Sequence, residues 1–138
     1  MPWSALEDQN RRLLRARDAM DRGFAGPLDV PALARIAFMS PGHFSRTFRA
    51  TFGETPHRYL QRRRVERAMA LLREPGASVT DVCERVGFAS LGAFSRAFRA
   101  VAGVAPSTYR SRAFALRVPV CFVKSWSVLA KPGRPRGA

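Results

Sequence analysis

The sequence predicts an all-α fold of about seven helices in which one two-helix unit occurs twice. Three observations predict it. Arg35–Tyr59 (RIAFMSPGHFSRTFRATFGETPHRY) aligns without a gap on Arg85–Tyr109 (RVGFASLGAFSRAFRAVAGVAPSTY) at an offset of 50, with 13 of 25 positions identical. Ordinary composition gives roughly one or two such identities. Apolar residues recur at helical spacing through both copies. Ser, Gly and Pro punctuate them at matching places. Two copies make a duplication, not a solenoid.

The elements follow in chain order. Leu6–Arg22 is polar and amphipathic, with Leu13, Leu14, Ala16 and Met20 as its expected buried side. Gly23-Phe24-Ala25-Gly26-Pro27 ends it. Copy one opens with Val30, Leu33, Ala34 and Ile36; copy two opens with Val79, Val82, Cys83 and Val86. A tight turn follows each. Gly87 stands where a helix C-terminus favours a left-handed residue, and Ala37 occupies that place in copy one. Ser40 and Ser90 are N-caps for second helices over about 41–52 and 91–102, which Gly53 and Gly103 end. Pro56 and Pro106 open the next helices, where a missing N–H costs nothing. Thr55 is a good cap before Pro56; Ala105 is a poor one.

A long helix over about His57–Arg73, stopped by Glu74-Pro75-Gly76, reads as a rigid spacer between two small cores. The expected division is an N-terminal helix in 1–27, units in 28–56 and 75–112, the spacer in 57–74 and a tail in 113–138. Within that tail Arg117–Trp126 is apolar and β-branched, and Lys131–Ala138 is Pro/Gly/Arg-rich and expected to be disordered. The recurring Phe38, Phe44, Phe48, Phe88, Phe94 and Phe98 are assigned to the cores, and Cys83 to the place that Leu33 holds in copy one.

Charge gives the second helices a role. The chain carries 24 Lys+Arg against 10 Asp+Glu, a formal +14, and all but Lys124 and Lys131 of the basic residues are Arg. Coding bias explains Arg over Lys; it does not explain the excess, which is the footprint of a polyanion partner. On a helical wheel Phe44, Phe48 and Thr51 share one face. Gly42, Arg46 and Arg49 lie opposite, flanked by His43 and Ser45. Phe94, Phe98 and Val101 repeat the inner face, and Gly92, Arg96 and Arg99 the outer one. A core stripe backed by a cationic stripe, after a short helix and a tight turn, makes each unit a helix-turn-helix candidate.

Other classes fit less well. No apolar run approaches a membrane span, and no signal peptide begins the chain. Two cysteines, Cys83 and Cys121, give neither a disulfide framework nor a zinc cage, and a reducing cytoplasm is expected. Two histidines without paired carboxylates offer no metal or acid–base constellation. No catalytic residue, metal or cofactor is predicted, and the chain is not expected to be an enzyme.

The spaced residues match a known family. Leu33-Ala34, Met39-Ser40, Phe44-Ser45-Arg46-Thr47-Phe48-Arg49, Gly53 with Pro56, Tyr59-Leu60 and Arg64-Val65 carry the match in copy one and the spacer. Val82-Cys83, Val86-Gly87-Phe88, Phe94-Ser95-Arg96-Ala97-Phe98-Arg99, Gly103, Pro106 and Tyr109 carry it in copy two. Over about residues 13–112 the chain resembles the AraC/XylS-type DNA-binding domain of bacterial transcription regulators. The resemblance implies two homeodomain-like helix-turn-helix subdomains entering successive major-groove segments of duplex DNA. It puts base contacts at Gly42, Ser45 and Arg46, and at Gly92, Ala93, Ser95 and Arg96. Gly42, Gly92 and Ala93 lack the larger groups of well-known relatives.

Base reading is therefore assigned to Arg46 and Arg96, with His43, Ser45 and Ser95. Backbone contact or close approach is assigned to Gly42, Arg49, Gly92 and Arg99. The family's linker-helix Arg falls on Arg64, which implies a structural ion pair; Arg62, Arg63 and Arg67 read as a solvated face. The expected molecule is a monomeric, cytoplasmic, sequence-specific regulator. Its partners are double-stranded DNA, with RNA polymerase as a further candidate, and neither a membrane nor a small-molecule effector in this chain. The alternatives are a non-specific architectural nucleic-acid binder, the detached DNA-binding half of a longer regulator, and, least favoured, a DNA-repair alkyl acceptor.

Overall fold

Short polar side chains fix where the helices begin. The computed structural model describes residues 4–115. Among these it forms seven helices and no strand: α1 (Ala5–Gly23), α2 (Val30–Ile36), α3 (Pro41–Phe52), α4 (Pro56–Leu72), α5 (Val79–Arg85), α6 (Leu91–Ala102) and α7 (Pro106–Ala115). Ser4 and Glu7 form a capping box on α1. Asp29, Ser40, Thr55, Ser78 and Ser90 each accept a backbone N–H from three residues on. Such a cap contributes about 1 kcal/mol. Gly53 and Gly103 end α3 and α6 at φ +84° and +85°, a conformation that costs glycine nothing.

Two cores form, and α4 serves both. The first contains Leu13, Ala16, Met20, Leu33, Ala34, Ala37, Phe44, Phe48 and Leu60. The second takes Val65, Ala68, Leu71 and Leu72 from α4, with Val82, Cys83, Val86, Phe88, Phe94, Ala97, Phe98 and Tyr109. Tilted aromatic contacts run through each. Phe48 lies 5.6 Å from Phe44, 4.6 Å from Phe52 and 5.7 Å from Tyr59, centroid to centroid. Phe94 lies 5.3 Å from Phe88 and 5.7 Å from Phe98, which meets Tyr109 at 5.6 Å.

The duplication is not gapless in space. From the N-cap serines onward α3 and α6 keep the offset of 50, but α2 and α5 are offset by 49. Val82 therefore occupies the place of Leu33, and Cys83 that of Ala34, not that of Leu33 as the sequence alignment has it. The turn of copy one is one residue shorter. Its left-handed residue is Phe38 (φ +57°), not Ala37, whereas Gly87 (φ +93°) takes that role in copy two. Phe38 is consequently expelled: it is 69% exposed, not part of the core. Met39, packed on the first core, stands where Phe88 stands in the second. Matching bonds mark the slip, Met39 N–H to Ala34 O and Phe88 N–H to Cys83 O.

Other expectations of burial change too. Leu14 is exposed; Leu13, Ala16 and Met20 alone form the buried face of α1. Thr51 and Val101 also face solvent. The inner stripe of α3 runs through Phe44 and Phe48 to the partly buried Phe52, and that of α6 through Phe94, Ala97 and Phe98. Helix α7 continues past Arg112 to bury Ala113. Cys121, Arg117–Trp126 and Lys131–Ala138 lie outside the described residues.

The α4 arginines divide sharply. Among the described residues Arg64 has no ion-pair partner. It donates from Nε to Phe24 O and from Nη2 to Gly26 O (3.0 Å). Its guanidinium carbon lies 5.8 Å from the Phe88 centroid. Burial lowers its pKa from the ordinary arginine value. Arg62 and Arg63, read from sequence as solvated, are paired instead. Arg62 bridges Glu54 (2.6 Å) and Glu66 (2.8 Å), and Arg63 bridges Asp21 (3.0 Å) and Glu66 (2.8 Å). Asp21 also accepts the Tyr59 hydroxyl at 2.8 Å.

The slipped turn predicts opposite outcomes for two phenylalanines that the alignment pairs. Phe38→Gly changes unfolding free energy by no more than about 1 kcal/mol in either direction, since glycine relieves the left-handed strain. Phe88→Ala costs about 3–5 kcal/mol. Urea unfolding of both variants checks this, and a large loss at Phe38 overturns the assignment.

Candidate nucleic-acid interface

Helices α3 and α6 carry no acidic residue, and their polar faces follow from the inner stripes. Because Phe44 and Phe48 point inward, the residues opposite them must face water. Gly42, His43, Arg46 and Arg49 are all exposed, as are Gly92, Arg96 and Arg99. Ser45, Ser95 and Ala93 are half-buried at the stripe's edge. Each of these sequence-assigned residues is thus on the outer or flanking face of its helix.

The glycines and arginines are spatially linked. A Cβ built on Gly42 would stand 3.3 Å from Arg46 Nη1, and one on Gly92 would stand 3.5 Å from Arg96 Nη1. Both guanidinium groups lie back along the helix over the glycine one turn earlier, the direction in which helical side chains lean. The first turn of each helix therefore presents a bare backbone with a guanidinium across it. His43 N–H is bound by the Ser40 cap (3.3 Å). Thr47 returns its hydroxyl to the carbonyls of His43 (2.8 Å) and Phe44 (3.2 Å).

Charge compensation differs between helices. Among the described residues, none of the ion pairs involves Arg46, Arg49, Arg96 or Arg99. On α4, the hydrogen bonds that Arg62 donates to Glu54 and Arg63 donates to Glu66 raise the pKa values of these two arginines. Cations without an ion pair thus lie along α3 and α6, while Arg62 and Arg63 of the spacer are paired. Packing of α6 on α4 adds one residue that sequence reasoning missed. Exposed Arg58 joins Glu54, Gln61, Arg62, Ala97, Ala100 and Val101 in lining a cleft between the two helices. No sequence signal pointed to it, since the juxtaposition exists only in the packed fold.

Among the described residues, the thiol of Cys83 is occupied structurally. Burial, then Glu84, pushes the Cys83 thiol pKa up, and its S–H points to Ser90 O at 3.6 Å. A thiol held protonated is a poor alkyl acceptor. Among the described residues no cluster of His, Cys, Asp and Glu has metal-site geometry. No described helix is long and apolar enough to cross a membrane.

A family model described as a helix-turn-helix domain matches residues 33–112. The chain is similar to the DNA-binding domain of AdpA, a global transcriptional factor solved in complex with a target DNA. The two are 34% identical with a TM-score of 0.71, over 77% of this chain and 96% of that one. It also resembles the C-terminal domain of AraT, a response regulator from Geobacillus stearothermophilus. That match has 29% identity and a TM-score of 0.69, over 73% and 84% of the two chains. A third similar structure is a transcriptional regulator from Chromobacterium violaceum with an AraC-type DNA-binding domain. It is 25% identical at a TM-score of 0.67, over 75% and 93%.

The two tyrosines of the chain make the packing testable by pH. Burial raises both phenol pKa values above 10.0; at Tyr59 the hydrogen bond to Asp21 adds to it. The unfolded chain ionises first, so their stabilising contribution is intact below about pH 10 and is lost as pH rises through the folded values. A phenolate absorbance titration of the folded protein should give midpoints above 10 for both. Midpoints at the ordinary value would contradict the burial described.

Proposed function

The chain belongs to the helix-turn-helix family of AraC-type DNA-binding domains of transcription regulators, and from that premise we propose that it reads an asymmetric operator with α3 and α6 together. The observation that carries the reading is the pair of uncompensated Gly–Arg stripes, Gly42/Arg46 and Gly92/Arg96, on the exposed faces of the two second helices.

Arg46 and Arg96 supply bidentate donors for guanine O6 and N7, each worth about 1–3 kcal/mol of discrimination. Arg49 and Arg99, a turn later, bind phosphates and set register. The bare first turns at Gly42 and Gly92 let the helix N-termini approach the sugar–phosphate edge. Copy one adds His43 where copy two has Ala93, so the two boxes are unequal. Double-stranded DNA is the partner, and one chain contacts groove segments about one helical turn apart. The small groups at Gly42, Gly92 and Ala93 favour a second reading, in which shape and phosphate contacts dominate and sequence choice is weak.

Selection from random duplexes at near-physiological salt separates the two. The first reading yields one asymmetric motif with two boxes about 10 base pairs apart, lost in the Arg46→Ala, Arg96→Ala double variant. High, salt-dependent affinity without enrichment leaves the architectural reading. On the selected site, Arg49→Ala should weaken binding alike across sequences and lower the salt slope by about one. Arg46→Ala should instead relax choice at a single base. Gly42→Ala should stabilise the fold by up to about 1 kcal/mol while weakening DNA binding, because the new methyl crowds Arg46. Stability and affinity moving together in that variant would count against the proposed contact.

A further inference from the structure

We propose that Arg64 is a positioning residue: it clasps the α1–α2 loop of the first unit to the α5–α6 turn of the second, and so fixes the box spacing that the protein accepts. The inference rests on the two-reader function above.

The two units hold α4 unequally. The second core draws on Val65, Ala68, Leu71 and Leu72, whereas Leu60 alone joins the first core as a buried α4 residue. The first unit is tied to α4 through Tyr59 and Arg63, which both bond Asp21, and through Arg64, which shares a helix face with Leu60, Ala68 and Leu71. Arg64 holds the carbonyls of Phe24 and Gly26, the two residues that flank Ala25. Ala25 in turn lies against Gly87, in the opposite turn. A Cβ on Gly87 would stand 2.7 Å from Ala25 O and 3.0 Å from Ala25 Cα. The Phe88 ring lies beside the same guanidinium. One side chain thus ties a loop of the first unit to the turn that leads into α6.

The clasp belongs to the joint and not to the repeated unit. At the repeat offset of 50, Arg64 corresponds to Phe114, so the duplication supplies no second copy. The Arg64 Nε–H bonds the Phe24 carbonyl, and its Nη2–H joins the Leu28 N–H (2.8 Å) on the carbonyl of Gly26. Its loss therefore frees the loop without unmaking either aromatic core.

The test compares the wild type with Arg64→Met, which keeps the apolar stem and removes both donors. On the selected operator, inserting or removing one base pair rotates one box by about 35° around the duplex axis. The wild type should lose affinity by about tenfold or more, equivalent to about 1.4 kcal/mol. In Arg64→Met that ratio should fall below about threefold, with single-box affinity unchanged. A purely structural role would lower affinity for every spacing equally and leave the ratio alone, which overturns the proposal.

A DNA-free readout keeps the inference separate from the function it rests on. Residual dipolar couplings of amides in the two units should fit one alignment tensor in the wild type and two in Arg64→Met. A single tensor in the variant overturns the clasp whether or not a two-box operator exists. No two-box operator, with two tensors in the variant, overturns the two-reader function alone. If Arg64→Met fails to fold, Arg64→Lys, whose compact ammonium replaces the two-armed guanidinium, is judged by the same ratio and the same couplings.

Discussion

One helix completing two cores is the constraint on which the rest of this molecule depends. Each unit is small, and small domains bury a smaller fraction of their surface and are marginal for that reason. Leu60 lends α4 to one core, and Val65, Ala68, Leu71 and Leu72 lend it to the other. A spacer used in this way is shared by both units, more heavily by the second. Its polar positions are constrained as well, which explains why Arg62, Arg63 and Arg64 all carry structural bonds.

Those bonds organise the electrostatics. A formal charge of +14 says only that cations are in excess. The fold decides which of them face solvent without a carboxylate. Glu54, Glu66 and Asp21 engage the spacer's arginines, while α3 and α6 contain no acid to answer theirs. The arginines of α3 and α6 thereby stay uncompensated, as cations that attract a polyanion must.

Much of this was legible in the sequence, and the misses have physical causes. Caps and glycine stops are local, so α3 and α6 emerged with the expected boundaries of 41–52 and 91–102. The outer faces of both helices followed from the periodicity of their phenylalanines. The slipped turn was hidden because Phe38 and Phe88 are the same residue in alignable contexts, which rewards a gapless match. Its trace was present: Asp29-Val30 and Ser78-Val79 stand 49 apart, not 50, and so do Leu33-Ala34 and Val82-Cys83. Glu66 lies within one turn of Arg62 and Arg63 and could have been paired with them. Asp21, and the carbonyls that hold Arg64, are distant in sequence and had no local signal.

The unequal turns bear on how the two halves can be exchanged. From Ser40 and Ser90 onward the copies are superposable cassettes, and a graft of α3 onto the position of α6 keeps every side chain on its proper face. A junction placed upstream, inside the turn, carries over a connection one residue too short or too long. The turn would then no longer match the first helix of the unit it joins, whose left-handed residue lies at Phe38 in one copy and Gly87 in the other. Recombination between the two repeats, natural or engineered, is therefore permitted at the cap serines and penalised only a few residues earlier.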